Sequence, residues 1–236
     1  MPSISVCLSP NLINLFELKG NTVVVVDILR ATSCITTALG CGIKSIKPVS
    51  NLEECLALGN EGYITAGERN GKKVDGFDLG NSPFGFMDEK LQGKKIAFTT
   101  TNGTQAINLS ERADLVIAGS FLNIAAIKDF LYNQASHVTI VCAGWKGMIN
   151  LEDTLFAGAL ADELSNDFNV DEDATLASIY LFRKARNNLF KFLQSSSHFN
   201  RLSKLNIVDD IKYCLKFNEF EVVPVLKNSE LVLLES

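Results

Sequence analysis

The segment Thr22-Val23-Val24-Val25-Val26-Asp27 decides the fold. Its unbroken β-branched run is typical of a strand covered on both faces. A helix is predicted next, over residues 31–39, and the glycines of Gly40-Cys41-Gly42 end it. Asp27 thus stands where the most apolar strand ends, and an ionised carboxylate is costly there unless it is paired or binds a metal. It suits a Mg²⁺ ligand or a nucleophile; the structural alternative is a helix N-cap or a salt bridge to Arg30.

Strand-like and helix-like segments alternate from residue 21 to about residue 165. The further predicted strands are 43–49, 63–66, 95–99, 115–118 and 138–141. The further predicted helices are 52–60, 104–110, 124–134 and 151–168. This alternation predicts an α/β protein with a mostly parallel or mixed sheet and helices on both faces.

After about residue 168 the chain becomes rich in predicted helix. Residues 171–193 contain no Gly or Pro and predict one long helix or two consecutive ones, and residues 207–217 predict another. Short edge strands are predicted at 222–226 and 231–234, and the first is a candidate for pairing between subunits of a homo-oligomer. We expect residues 1–236 to form a single unit, whose C-terminal portion either wraps the rest or forms a second lobe dividing near 165–170.

Composition excludes several classes of protein. The 236 residues include 22 Lys and Arg against 27 Asp and Glu, a formal charge of −5, whereas a general nucleic-acid binder needs a basic surface. No apolar run is long enough to predict a membrane span, and no basic residue precedes Lys19 as a signal peptide would require. The six cysteines lack CxxC spacing, which favours buried thiols in a reducing compartment, so we expect a cytoplasmic protein.

Polar residues gather at further joints between strands and helices, and in open α/β sheets ligands bind at that edge. Thr99-Thr100-Thr101-Asn102-Gly103-Thr104 places four hydroxyls, an amide and a glycine in one turn, which suits an anion; the alternative is a well-capped turn. Glu68 and Arg69 lie on a predicted loop between Gly67 and Gly71. There Glu68 suits a metal ligand or a catalytic proton relay and Arg69 suits a phosphate or sulfonate, and the alternative is an exposed ion pair.

Two more joints carry carboxylates. Asp78, Asn81 and Ser82 supply oxygens of the type that Mg²⁺ takes, unless they only form Asx-turns before Pro83. Glu152 and Asp153 begin a predicted helix, so they are a general acid or a further metal ligand, or they only complement the helix dipole. Trp145, just before them, is expected to form an apolar wall. His137 and His198 are expected to have structural or surface roles.

Missing motifs exclude several enzyme classes. No cysteine is followed six positions later by arginine, no DxDxT follows the first strand, and two distant histidines cannot build a dinuclear metal cluster. A complete Walker A loop, a dinucleotide-binding glycine pattern and a Gly-x-Ser-x-Gly elbow are absent too. What remains is a site rich in carboxylates and hydroxyls, which favours Mg²⁺-assisted chemistry on a small anion.

Five motifs in order resemble the 2-phosphosulfolactate phosphatase family over essentially the whole chain. They are Asp27-Ile28-Leu29-Arg30-Ala31-Thr32, Gly67-Glu68-Arg69, Gly76-Phe77-Asp78-Leu79-Gly80-Asn81-Ser82-Pro83, Thr100-Thr101-Asn102-Gly103-Thr104 and Leu151-Glu152-Asp153-Thr154. The resemblance implies a Mg²⁺-dependent acid phosphatase that hydrolyses 2-phosphosulfolactate to sulfolactate and phosphate, a step of coenzyme M biosynthesis.

The site expected from these residues binds a small anionic phosphate ester. Mg²⁺ is assigned to Asp27 with Asp78 or Glu68, and the leaving oxygen is protonated by Glu152 or Asp153. Whether Asp27 attacks phosphorus or only holds the metal stays open at this point. The residues assigned to substrate binding are Arg30, Thr32, Arg69, Asn81, Ser82, Thr100, Thr101, Asn102, Gly103 and Thr104. Two rival hypotheses are a non-catalytic binding protein for a small organophosphate or sulfonate and a nucleotide-using transferase.

Overall fold

The chain alternates strands and helices as far as residue 164 and is mainly helical after it. A computed structural model describes residues 1–134 and 136–234. The strands are β1 (Ile4–Cys7), β2 (Thr22–Val26), β3 (Ser45–Pro48), β4 (Ile64–Arg69), β5 (Lys72–Lys73), β6 (Lys95–Thr99), β7 (Leu115–Gly119), β8 (Val138–Cys142), β9 (Pro224–Lys227) and β10 (Glu230–Leu233). The α-helices are α1 (Ala31–Gly40), α2 (Leu52–Asn60), α3 (Gly103–Leu109), α4 (Ile124–Gln134), α5 (Leu151–Leu164), α6 (Asp173–Ala185), α7 (Leu189–Leu193), α8 (Ser197–Ser203) and α9 (Val208–Cys214).

The strands form one mixed sheet in the order β1-β8-β2-β7-β9-β10-β3-β6-β4-β5. Its first four strands are mutually parallel, and so are β3, β6 and β4. The antiparallel pair β9–β10 lies between these two parallel blocks and joins them. The predicted α/β class with a mixed sheet is confirmed.

Both faces of the sheet are covered, as the valine run predicted. All five residues of β2 are buried. Val24 and Val26 belong to a core that includes residues of α4 and α5, whereas Val23 and Val25 belong to a second core that includes residues of α1 and α3. Because successive strand residues point to opposite faces, this alternation requires helices on both sides of the sheet.

The C-terminal hairpin corrects the prediction of edge strands. β9 and β10 lie in the middle of the sheet, where Val225 pairs with Ile117 and Leu231 pairs with Ile46. Pro224 suggested an edge because proline donates no ladder hydrogen bond, but it is the first residue of β9, a position that tolerates proline. The suggestion that this strand pairs between subunits loses its basis, since neighbours flank β9 on both sides.

The C-terminal helices pack onto one face of the sheet. Residues 171–193 form α6 and α7 rather than one helix, and Asn188 caps α7 by accepting the Lys191 N–H. Leu160, Phe168 and Ile179 belong to one buried cluster, so apolar packing continues across residues 165–170. Sequence analysis did not predict β1, β5 or α8. No helix within the described ranges combines the length and apolar character needed to cross a membrane.

Candidate active site

One pocket lies where the carboxyl ends of strands from both parallel blocks come together. It encloses about 640 Å³ of space outside the protein atoms, part of it open to solvent. Its lining residues come from the ends of β2, β4, β6 and β8 and from the α8 region; they are Asp27, Leu29, Arg30, Glu68, Asn70, Gly71, Asn81, Thr101, Asn102, Trp145, His198, Arg201, Leu202 and Leu205. The joints expected to meet at one site therefore do so.

Asp27 follows β2 and lines the pocket. Its Oδ1 accepts the Ala31 N–H at the start of α1 (3.3 Å), and the Thr32 hydroxyl donates to its backbone carbonyl (3.0 Å). Thr32 thus shapes the joint and does not line the pocket. Burial raises the pKa of Asp27 to about 6, with the His198 ring opposing the shift and Glu68 adding to it. At neutral pH Asp27 is a buried carboxylate next to other charged groups.

Glu68 is fixed at the end of β4 rather than on a loop. Its Oε1 accepts the Thr101 N–H (2.8 Å) and its Oε2 accepts the Gly71 N–H (2.7 Å). Gly71 adopts a positive φ of 80° in the turn to β5, where glycine is favoured. Each carboxylate oxygen keeps a second lone pair, so Glu68 can still accept from or coordinate a group in the pocket.

The threonine turn divides between structural and pocket-facing residues. Thr100 and Thr104 bond each other, since each hydroxyl accepts the backbone N–H of the other. They therefore cap the turn, as the structural alternative expected, and do not line the pocket. Thr101 does line it, and its Oγ1 is buried with no hydrogen-bond partner among the described residues. Asn102 also lines the pocket and accepts the Lys146 N–H (3.0 Å).

Gly103 is needed because two elements approach it closely. A Cβ there would lie 2.5 Å from the Ala31 Cβ and 2.8 Å from Asp27 Oδ2. A larger residue would push α1 or displace the carboxylate. Gly103 therefore contributes space for Asp27 rather than a contact with substrate.

Both arginines assigned to the substrate have partners in the protein. Arg30 lines the pocket but forms a buried ion pair with Asp210 of α9. Arg69 donates to the Thr99 hydroxyl (3.0 Å) and to the Glu68 carbonyl (2.7 Å), outside the pocket lining. Sequence reasoning could not foresee Asp210, because it is 180 positions away.

The third predicted metal ligand, Asp78, does not reach the pocket. Its Oδ2 accepts the backbone N–H (2.8 Å) and the hydroxyl (2.7 Å) of Thr65, and these bonds lower the pKa of Asp78. Ser82 precedes the 3₁₀-helix Pro83–Met87 and also lies outside the pocket. Asn81 does line it, with a buried Oδ1 that lacks a partner in the described part of the chain.

Glu152 and Asp153 in the first turn of α5 are enclosed behind the pocket. Asp153 accepts the Ile28 N–H (2.9 Å) and the Gly144 N–H (3.0 Å), so it joins the β2–α1 and β8–α5 connections. Burial raises its pKa well above the usual range, although these two donors oppose the shift. Glu152 is fully buried and bonds His198 Nδ1. Neither carboxylate lines the pocket, so neither is placed to touch a substrate directly.

A side of the pocket that sequence analysis missed comes from α8. We call it the α8 wall: His198, Arg201 and Leu202 of α8 with Leu205 just after it. The guanidinium carbon of Arg201 lies 3.9 Å from the centre of the Trp145 ring, and its Nη2 is buried with no partner within residues 1–134 and 136–234. Trp145 lines the pocket with Arg201 and Lys146 over its ring, so its pocket face carries cations as well as apolar surface. His198, expected to have a structural or surface role, lines the pocket and bonds the buried Glu152.

The oxygen atoms that line the pocket suit a hard divalent cation better than the metal ligands predicted from the sequence, Asp27 with Asp78 or Glu68. Asp27, Glu68 and Asn81 all line it, whereas Asp78 does not. Mg²⁺ is commonly bound through only one or two carboxylates, with water and substrate oxygens completing its shell. No group of three His, Cys, Asp or Glu side chains assembles for a metal among the described residues.

Cysteine chemistry does not contribute to this site. All six cysteines are free thiols, and none lines the pocket. Burial raises the pKa of Cys7 to about 11 and that of Cys214 to about 12. A thiolate nucleophile is therefore disfavoured.

Comparison with known proteins agrees with the geometry. A model of the family described as 2-phosphosulpholactate phosphatase matches residues 7–229. A protein of Caldanaerobacter subterraneus is 43% identical over 92% of each chain, and one of Thermotoga petrophila is 42% identical over 91% of this chain and 92% of its own. A Clostridium perfringens protein is 36% identical over 99% of this chain and 97% of its own. Each relative is named a probable 2-phosphosulfolactate phosphatase.

The chain belongs to the 2-phosphosulfolactate phosphatase family. The family resemblance stated from five sequence motifs is confirmed over nearly the full length. Membership makes the chain a phosphoric monoester hydrolase and disfavours both rivals, the non-catalytic binding protein and the nucleotide-using transferase.

Proposed function

We propose that this chain hydrolyses 2-phosphosulfolactate to sulfolactate and phosphate with Mg²⁺ as cofactor. The names of its relatives give the substrate. The observation that carries the proposal is the charge content of the pocket, which is lined by two carboxylates, Asp27 and Glu68, and by Arg201, whose Nη2 has no partner among the described residues. An anionic ester needs both features: a cation from the protein, and a metal ion that offsets the repulsion from the carboxylates.

In this proposal Asp27 and Glu68 hold the metal, and the Asn81 carbonyl oxygen takes the part first assigned to Asp78. When bound, Mg²⁺ would polarise the phosphoryl oxygens and offset the charge that develops as the ester bond breaks. The Thr101 hydroxyl, which lacks a partner among the described residues, is available to donate to a phosphoryl oxygen. The backbone hydrogen bonds to Glu68 and Asp27 hold both carboxylates in place before substrate arrives.

Arg201 takes over the substrate contact first assigned to Arg69. The guanidinium of Arg201 stacks on Trp145, and its Nη2 has no partner among the described residues. A planar, charged donor group is therefore available at the pocket wall. Such a group suits the sulfonate or carboxylate of the substrate, because guanidinium binds planar or trigonal anions through paired hydrogen bonds. The two sides of the pocket then bind the two ends of one small molecule.

We also propose that the protein is located in the cytoplasm and that its reaction is a step of coenzyme M biosynthesis. Six free thiols favour a reducing compartment. The pathway step follows from the proposed substrate alone.

The test is phosphate release from 2-phosphosulfolactate with Mg²⁺ and with EDTA, compared with phospholactate and phosphoglycerate. The proposal predicts release that needs Mg²⁺ and is fastest for the sulfonate. Faster release from another ester would keep the phosphatase chemistry and overturn the substrate. Full activity after exhaustive chelation would overturn the metal assignment. A folded protein that releases phosphate from no ester would overturn the proposed function.

A further inference from the structure

The α8 wall carries a histidine whose surroundings resemble those of a proton donor. His198 lines the pocket together with Asp27, and its Nδ1 is hydrogen-bonded to Glu152 Oε1. Glu152 lies 46 positions earlier, in the first turn of α5, and is fully buried. The pair therefore links the sheet edge to the C-terminal helices at the pocket.

The burial of Glu152 indicates what the pair does. A buried carboxylate is costly unless a partner compensates it. Glu152 Oε2 has no partner in the described ranges, so His198 is the group that compensates this side chain. Nδ1 faces Glu152 Oε1 and also lies 3.3 Å from Asn150 Nδ2, so these two side chains hold the ring in one orientation and its Nε2 is left for the pocket.

Other pocket groups are less suited to donate a proton. Both oxygens of Glu68 already accept backbone N–H groups, and Glu68 is assigned to the metal. Asp27 is assigned to the metal, and arginine does not release protons at ordinary pH. Glu152 and Asp153, the acids first expected, lie behind the lining.

We propose that His198 is the general acid that protonates the leaving ester oxygen and that Glu152 is the positioning residue that orients it. This inference rests on the proposed function. The bond between phosphorus and the ester oxygen breaks, both electrons stay with that oxygen, and the Nε2 proton passes to it to form the hydroxyl of the product. The water whose oxygen ends on phosphorus gives up one proton, and that proton restores Nε2–H.

The experiment compares two leaving groups in the same preparation of each variant. An alkyl ester such as 2-phosphosulfolactate needs a proton on its leaving oxygen, whereas 4-nitrophenolate departs from 4-nitrophenyl phosphate without one. We expect His198→Gln to lower kcat on the alkyl ester by about 10²- to 10⁴-fold, the usual contribution of a general acid, and to affect the aryl ester far less. Because the ratio of the two activities is independent of the folded fraction, misfolding cannot mimic this result.

His137→Gln is the matched control. His137 is exposed, just before β8 at the opposite edge of the sheet, and bonds Ser3 there. This variant should keep both activities. Equal losses on the two esters in His198→Gln would overturn the assignment, since a structural role would lower both.

Glu152→Gln gives a second measurement, which also decides the matter if the wild type accepts only alkyl esters. Glu152→Gln should lower kcat more for an alkyl ester whose leaving alcohol has a high pKa than for one whose leaving alcohol has a lower pKa, because the first depends more on the proton that the oriented ring donates. An equal loss for both alkyl esters would overturn the proposal. A wild type that hydrolyses no ester at all would instead overturn the proposed function, and this inference with it.

Discussion

The two sides of the pocket differ in charge and in how they are held. On the sheet-edge side, Asp27 and Glu68 are acidic and fixed by backbone N–H donors that are near in sequence or in the neighbouring strand. On the other side, the α8 wall presents His198 and Arg201, which are held by a buried carboxylate and by an indole ring. The first side is rigid and negative, and the second is basic and held through side chains alone.

This difference separates two tasks. Carboxylates fixed by the backbone suit a cation that must be held in one place, since their orientation costs no further ordering when the ion binds. Side chains on a short helix are suited to binding the substrate, because the size and charge of the substrate group that they contact decide its affinity. We therefore expect substitutions on the sheet-edge side to lower turnover of every ester, and substitutions in the wall to lower it selectively, according to the leaving group or the charged end of the substrate.

The largest effect should follow from Asp27→Asn. Loss of this carboxylate removes several kcal/mol of transition-state stabilisation, so we expect kcat to fall by about 10³-fold or more. Steady-state phosphate release measures it, and Asp129→Asn on the exposed face of α4 is the control. A variant that keeps more than half of the wild-type activity would show that Asp27 is dispensable.

The same substitution should stabilise the fold at neutral pH when no divalent ion is present. The pKa of Asp27 is raised from its ordinary 3.8 to about 6, so the folded state disfavours the charged form. This contribution to stability is fully present below pH 4 and is lost as the pH rises through 6. The shift corresponds to a free energy on the order of 3 kcal/mol. The free energy of unfolding of Asp27→Asn, measured with urea, should thus exceed that of the wild type at pH 8 and match it near pH 4.

Gly103→Ala tests the close approach behind Asp27. Its new Cβ would overlap the Ala31 Cβ and press on Asp27 Oδ2. Overpacking of this kind costs about 1 to 3 kcal/mol of unfolding free energy. A displaced carboxylate should also lower kcat by about 10²-fold. Gly85→Ala, whose Cβ would make only an ordinary contact with Leu79 Cδ2 at 3.9 Å, should change neither quantity.

Arg201→Met tests the wall. The variant keeps an unbranched apolar chain near Trp145 and removes the charge. A hydrogen bond to a charged group contributes about 1.5 to 3 kcal/mol, so kcat/KM for 2-phosphosulfolactate should fall about 10- to 100-fold. Phospholactate should lose less if Arg201 binds the sulfonate. Arg112→Met, at the surface near Asn14, is the control, and equal losses for both esters would assign Arg201 to the shared phosphate or carboxylate instead.

The sheet-edge side was predictable because its signals are local. Each joint directly follows a strand-like run, and ligands of α/β sheets bind at such strand ends, so Asp27, Glu68 and Thr101 could be grouped from the sequence. The sequence did not show that β2 runs opposite to β4 and β6, because the β9–β10 hairpin that reverses the direction is distant in sequence. Which of the joint residues face the pocket could not be predicted. Thr100 and Thr104 bond each other, and Asp78 bonds Thr65, through contacts that any polar turn could make.

The wall was missed because nothing local marks it. His198 and Arg201 are three positions apart, which places them on one face of a helix. However, α8 lies between α7 and α9 along the chain, so it does not follow a strand as the other joints do. Its place at the pocket depends on packing against α9, the next helix, and on the buried Glu152, which lies 46 positions earlier. The hairpin β9–β10 was misplaced for a similar reason, because its pairing with β7 and β3 is fixed by the whole sheet.

The smallest effect should follow from Asp78→Asn, which separates the metal ligand expected from sequence from the loop contact found in the structure. If Asp78 only accepts from Thr65, the asparagine Oδ1 retains most of this contact, and kcat should change less than about twofold while the unfolding free energy falls by about 0.5 to 1 kcal/mol. Because the pKa of Asp78 is lowered in the folded state, its contribution to stability is present above pH 4 and declines as the pH falls through the folded pKa. The unfolding free energies of wild type and variant should therefore converge in acid. Titration of activity with Mg²⁺ is the deciding measurement. A large rise in the Mg²⁺ concentration needed for half-maximal activity would return Asp78 to the metal site and would require its loop to move toward the pocket when the ion binds.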